Sequence, residues 1–158
     1  MNRLFSTSEK GRAPSLRAQC CVASLALALA AAAFVVPRAG EASAGGYQYW
    51  GGFTANIGGQ SVGIPAGQLY HYISGEGYHI SWEAANFAAA GNLCDPSIRF
   101  TYGNGAYRYD GNVHWGCSHV GQWKYTFDWN APRGSACAEL WVGNWERMIT
   151  KQCHYVYG

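Results

Sequence analysis

Charge is what this chain has least of. Only 13% of its 158 residues are Asp, Glu, Lys or Arg, about half the usual share in a soluble domain. Disordered chains are charge-rich and poor in aromatics; this one is 15% aromatic and 49% hydrophobic, which excludes that class. Proline is scarce, five against twenty-one glycines with no Gly-X-Y period, so a collagen-like helix is excluded too. No segment repeats apolar residues at helical spacing between caps. Motifs that carry chemistry are missing: no H-E-x-x-H, no phosphate-binding loop and no G-x-S-x-G elbow. There is no internal repeat, and the length suits one domain.

One long apolar run is present, Val22 to Val36. It is shorter than the roughly 20 residues that span a bilayer. Arg3, Lys10, Arg12 and Arg17 precede it, Pro37 breaks it, and Ala42-Ser43-Ala44 offers a small-residue cleavage site. Residues 1–44 therefore read as a secretory signal peptide, and a secreted, extracellular protein is expected. No twin Arg occurs, which favours the general export route. Cys20 and Cys21 precede the run, whereas a lipid-attachment Cys would follow it. The formal charge of +2 belongs to this leader. Beyond it stand Arg99, Arg108, Lys124, Arg133, Arg147 and Lys151 against Glu76, Glu83, Asp95, Asp110, Asp128, Glu139 and Glu146. That balance gives no electrostatic steering toward nucleic acid or an anionic membrane.

Cys94, Cys117, Cys137 and Cys153 remain, an even number in an exported chain, so two structural disulfides are expected. Three connectivities are possible; Cys94–Cys117 and Cys137–Cys153 close the most local loops. Metal-site spacing of the C-x-x-C kind is absent, and no metal or cofactor is expected. Alternation dominates the rest. Trp123, Tyr125, Phe127 and Trp129 give a strand with an aromatic inner face, followed by the turn Asn130–Ser135 and the small-residue strand Ala136, Ala138, Leu140, Val142. Ile98, Phe100 and Tyr102 mark another strand. Leu69–Ile73 and Tyr78–Trp82 form a hairpin about Gly75-Glu76-Gly77, and Met148–Tyr157 is the last strand, with Ile149, Cys153, Tyr155 and Tyr157 on one parity. Glu83–Ala90 is Ala-rich and reads as a short helical turn, with a loop before Cys94 as the alternative. The fold class expected is all-β, a small disulfide-stapled sandwich or barrel. Residues 45–67 make a Gly/aromatic arm and first hairpin, and 68–158 the β domain.

No catalytic residue stands out. His71, His79, His114, His119 and His154 have no metal-ligand spacing, and the acid pairs Glu83/Asp95 and Asp110/Glu139 read as solvated carboxylates rather than a hydrolytic pair. A non-enzymatic binding role is expected instead. Seven Trp and eleven Tyr exceed the needs of a core this size. Tyr47, Tyr49, Trp50 and Phe53 sit among paired glycines in the arm; Trp141 and Trp145, like Trp115, fall in loops or on outer parity. These suit a protein partner: the arm is either an edge strand on its own domain or a tether docking on another protein. A carbohydrate- or cell-wall-binding module, with Asn104, Asp110, Asn112 and Gln122 as polar contacts, is the second reading, and an inhibitor of a secreted hydrolase the third.

The leader, the arm GGYQYWGGF and the cross-linked β domain together resemble the small adaptor subunits of actinobacterial secreted lectin–toxin ("umbrella") particles. The resemblance is one of architecture along the whole chain, without a diagnostic motif. It implies a non-catalytic linker between a lectin subunit and a large toxin subunit.

Overall fold

The computed structural model describes residues 42–156. The charged part and apolar run of the expected leader lie outside them, as does Tyr157. Ala42, Ser43 and Ala44, the expected cleavage residues, lie inside, at the start of the first strand.

The described residues form ten strands and no helix. These are β1 (Ala42–Trp50), β2 (Phe53–Ile57), β3 (Gln60–Ile64), β4 (Gly67–Glu76), β5 (His79–Cys94), β6 (Ser97–Tyr102), β7 (Tyr107–Asp110), β8 (Cys117–Asn130), β9 (Gly134–Val142) and β10 (Arg147–Val156). One antiparallel sheet has the order β1-β4-β5-β8, a second has β10-β9-β6-β7, and β2–β3 is a separate hairpin. The class is all-β with sandwich-like sheets; no barrel closes.

Turn chemistry sets the hairpins. Gly58 and Gly59 link β2 to β3, both with positive φ (58° and 76°), as a two-residue I′ turn requires. Gly77 (φ 59°) takes the first central place of the β4–β5 turn, the glycine position of type II′.

The inner faces supply the core. Leu69, Ile73, Ile80, Ala85, Phe87 and Trp123 come from the first sheet, and Ile98, Phe100, Tyr102, Ala136, Ala138, Leu140 and Val142 from the second. Each large side chain fully buried contributes roughly 1.5–3 kcal/mol. The aromatic face of β8 meets β6 across the sandwich: Phe127 packs edge-on against Phe100 (6.0 Å) and Tyr102 (5.8 Å), and Trp129 against Tyr102 (5.2 Å). The turn after β8 therefore carries the chain from one sheet to the other.

Both disulfides form as the local-loop pairing requires, Cys94–Cys117 and Cys137–Cys153. Each joins residues directly opposite on neighbouring strands, β5 with β8 and β9 with β10. Each staples one sheet; neither ties the two sheets together.

Two local expectations fail. Glu83–Ala90 is not a helical turn but the middle of β5, paired on one side with β4 and on the other with β8. Ladder bonds on both sides and burial of Glu83, Ala85 and Phe87 outweigh the helix propensity of alanine. In β10 the register slips between Met148 and Thr150. The bulge turns Ile149 inward with Gln152, His154 and Val156, while Cys153 and Tyr155 face outward, so the expected single parity is broken.

Candidate functional site

Strand alternation sends every second side chain of the first sheet away from the core. The registers align these outward residues into rungs across all four strands. One rung reads Gly45, Tyr72, Ala84, Lys124; the next reads Tyr47, Tyr70, Asn86, Gln122. The rung beyond reads Tyr49, Gln68, Ala88, Val120. On the opposite side Trp82 faces Ser74 and Thr126.

Small residues among large ones leave a hollow. A cleft of about 590 Å³ is lined by Gly45, Tyr47, Tyr70, Tyr72, Trp82, Ala84, Asn86, Gln122 and Lys124, with Gly46 and His71 beneath. Its size falls in the range of small-ligand sites. A shallower cleft of about 390 Å³ continues along the same face beside Tyr49, Gln68 and Ala88.

Aromatic contacts fix the walls. Tyr72 stacks on Trp82 with ring centroids 4.9 Å apart, and the Lys124 ammonium lies 4.2 Å from the Trp82 ring centre. Tyr47 and Tyr70 are tilted neighbours at 5.8 Å. No carboxylate lines the cleft, and among the described residues none pairs with Lys124.

The residues singled out from the sequence part company here. Tyr47 and Tyr49 are exposed on this face of β1, so the arm is an edge strand on its own domain. Trp50, on the opposite parity, is in the core at 8% exposure, its indole N–H donating to the Pro65 carbonyl at 2.6 Å. Glycine at position 67 is obligatory beneath it, since a Cβ there would stand 2.4 Å from the Trp50 ring. Phe53 is half-buried on β2, with the Arg147 guanidinium 5.9 Å from its ring. Trp141 lies on β9 of the other sheet and Trp145 in the turn that follows it, and both rings approach the Arg99 guanidinium, at 4.8 and 5.0 Å. Trp115 stays 75% exposed in a loop.

Of the polar candidates, only Gln122 joins the cleft. The Asn104 side chain accepts from the Ser135 amide at 3.0 Å and holds a turn. The Asn112 carbonyl accepts from the Trp123 indole at 2.8 Å. Asp110 pairs with Arg99. Arg99 faces Asp110 on one side and Glu139 on the other, and Glu139 faces Lys151 at 3.1 Å. The acids Asp110 and Glu139 are thus alternate members of a charge row across the second sheet. Tyr70, Tyr72, Trp82, Asn86 and Lys124 were not singled out from the sequence. The shared parity of Tyr70 and Tyr72 in an expected strand was the available signal for two of them.

A buried acid–base cluster lies beneath the cleft. The His71 and Glu83 side chains are both 0% exposed, with His71 Nε2 2.5 Å from Glu83 Oε1. The Tyr102 hydroxyl donates to Glu83 Oε2 at 2.6 Å. Glu83 is therefore no solvated carboxylate; its bonds to two partners make its burial tolerable. Burial, and then the Glu83 carboxylate, push the Tyr102 hydroxyl far above its ordinary range, so it remains a donor. His154 lies 3.1 Å from the His71 carbonyl; burial lowers its pKa below the ordinary histidine value, against the raising effect of that bond. Asp95, the expected companion of Glu83, instead accepts from the Gly116 amide at 2.8 Å. Among the exposed histidines, His79 bonds Asp128 at 3.2 Å and Asn130 at 3.1 Å, and His114 stacks on Trp123 at 4.2 Å.

Among the described residues no group of three or more His, Cys, Asp or Glu is placed to hold a metal ion, and no helix is long and apolar enough to cross a membrane. Comparison with models of known families, with curated proteins and with solved structures finds no match.

Proposed function

We propose that this chain is a secreted, non-catalytic binding module that docks another extracellular protein along the open edge of β1, as an adaptor in an extracellular assembly would. One observation carries the reading: among the described residues β1 is the longest sheet edge without charge, proline or bulge, the uncharged hairpin strands β2 and β3 being only five residues each. Exposed strand edges invite pairing, and proteins blunt them with charge, proline, shortness or bulges. β7 has four residues, including Arg108 and Asp110. β8 carries Lys124 and Asp128 and pairs irregularly with β5. β10 carries Arg147, Lys151 and a bulge. β1 pairs in uninterrupted register with β4, and the part beyond the expected cleavage site, Gly45–Trp50 (GGYQYW), has no charge and no proline.

Among the described residues β4 is its only ladder partner. A partner strand added there would gain main-chain hydrogen bonds, with Tyr47 and Tyr49 beside it as anchors. Trp141 on β9 and Trp145 in the β9–β10 turn would be the second contact that joining two subunits requires. A non-catalytic role is supported by the sealing of the His71–Glu83–Tyr102 cluster away from solvent. Export is supported by the leader-like segment and by two disulfides, which persist in oxidising surroundings.

The test places a lysine on the edge as the other edges do. Wild type should recover a defined protein partner from the culture fluid of its source, and Gln48→Lys should lose it at unchanged melting temperature. Recovery of the same partner by both proteins would refute docking at β1.

A further inference from the structure

We infer that the outward cleft of the first sheet is a binding site for an acidic saccharide, a chain of pyranose rings carrying carboxylates. The site lies on the face of the sheet next to the proposed docking edge, shares Tyr47 with it, and uses different chemistry.

Three features converge. Tyr47 and Tyr70 offer exposed, mutually tilted rings on one rung. Aromatic faces of this kind cover the apolar C–H faces of pyranoses while leaving hydroxyls free. On the same rung stand Asn86 and Gln122. Among the described residues neither carboxamide has a side-chain hydrogen bond within the fold. Each therefore keeps two donors and an acceptor oxygen, the pattern that vicinal hydroxyls match.

Charge narrows the class. Lys124 is held by a ring quadrupole rather than by a carboxylate. Such a contact positions an ammonium without neutralising it. With no acid lining the cleft, its field favours an anion. The shallower cleft beside Tyr49, Gln68 and Ala88 continues the face, so the occupant is an oligosaccharide rather than a single sugar. A purely apolar peptide would leave both carboxamides and the ammonium unpaired, which disfavours it.

The test is calorimetric titration of the intact, disulfide-bonded protein with hexagalacturonate and, separately, with maltohexaose. The acidic hexamer should bind at least about tenfold more tightly, the worth of one charge-assisted contact. Lys124→Gln should abolish the preference for the acidic hexamer over the neutral one. Tyr70→Ala should weaken both. Near-ultraviolet dichroism and melting temperature check that each variant is folded; Lys124 is an exposed residue whose ammonium rests on Trp82, so Lys124→Gln remains informative if Tyr70→Ala fails to fold. Absence of binding by either hexamer at millimolar concentration overturns the site. A preference for the acidic hexamer that survives Lys124→Gln overturns its basis. Gln48→Lys should leave saccharide binding unchanged, which separates failure here from failure of edge docking.

Discussion

Glu83 shows most sharply how one side chain can govern the interior. It is a buried carboxylate held by His71 and Tyr102, and removing one member leaves the others desolvated without partners. Glu83→Ala should therefore cost about 3–5 kcal/mol of stability, read as a fall in the urea midpoint at unchanged m-value; a loss below about 1 kcal/mol would contradict the network's role. His154 gives the pH dependence. Its folded pKa lies below that of the unfolded chain, so in the window beneath about 6.5 the unfolded state binds more protons. Stability should fall as pH drops from 7 toward 5 through this group, and His154→Gln should remove that part of the slope. An unaltered slope in equilibrium unfolding would assign it elsewhere. The sequence could show that Trp50 is aromatic and flanked by glycines, but not which way it points. That follows from register: Trp50 faces Gly67 across the ladder, on the core side, while Tyr49 one residue earlier points out.

Elements were legible where composition and alternation agreed. β6, β8 and β9 could be read from their periods, and the disulfide pairing from loop lengths, because both are local properties. β5 could not. Its Ala-rich centre has no alternating hydrophobicity of its own, and its strand character comes from the neighbours that pair on both sides. The floor of the cleft, Ala84 beside Asn86, was hidden by the same misreading. The β10 bulge was hidden for a similar reason, since a register slip depends on the partner strand. The disulfides themselves act on single sheets. Replacing Cys137 and Cys153 together by alanine should cost roughly 3 kcal/mol, measured by thermal unfolding. The first sheet's Cys94–Cys117 bond should stay intact by mass spectrometry; free thiols at Cys94 and Cys117 in the folded double variant would contradict two independent staples.

The described residues carry two unlike surfaces on opposite sides of the sandwich. The second sheet closes its outer face with the row Asp110, Arg99, Glu139, Lys151 and with Trp141 and Trp145 over Arg99. The first sheet leaves its outer face hollow, aromatic and nearly uncharged, and ends in an edge without protection. The rungs that build this face unite four strands distant in sequence, so no single segment could announce it. The Lys151 side chain is 39% exposed, but its partner Glu139 is buried and so no solvated carboxylate; Lys151→Ala should therefore cost about 1–3 kcal/mol, read as a lower melting temperature.

Hydrogen–deuterium exchange of the oxidised protein, alone and with its recovered partner, tests edge docking most directly. New protection should appear in the amides of residues 46–50, with the β7, β8 and β10 edges unaltered. Protection confined to another edge, with β1 exchanging as in the free protein, would contradict the proposal.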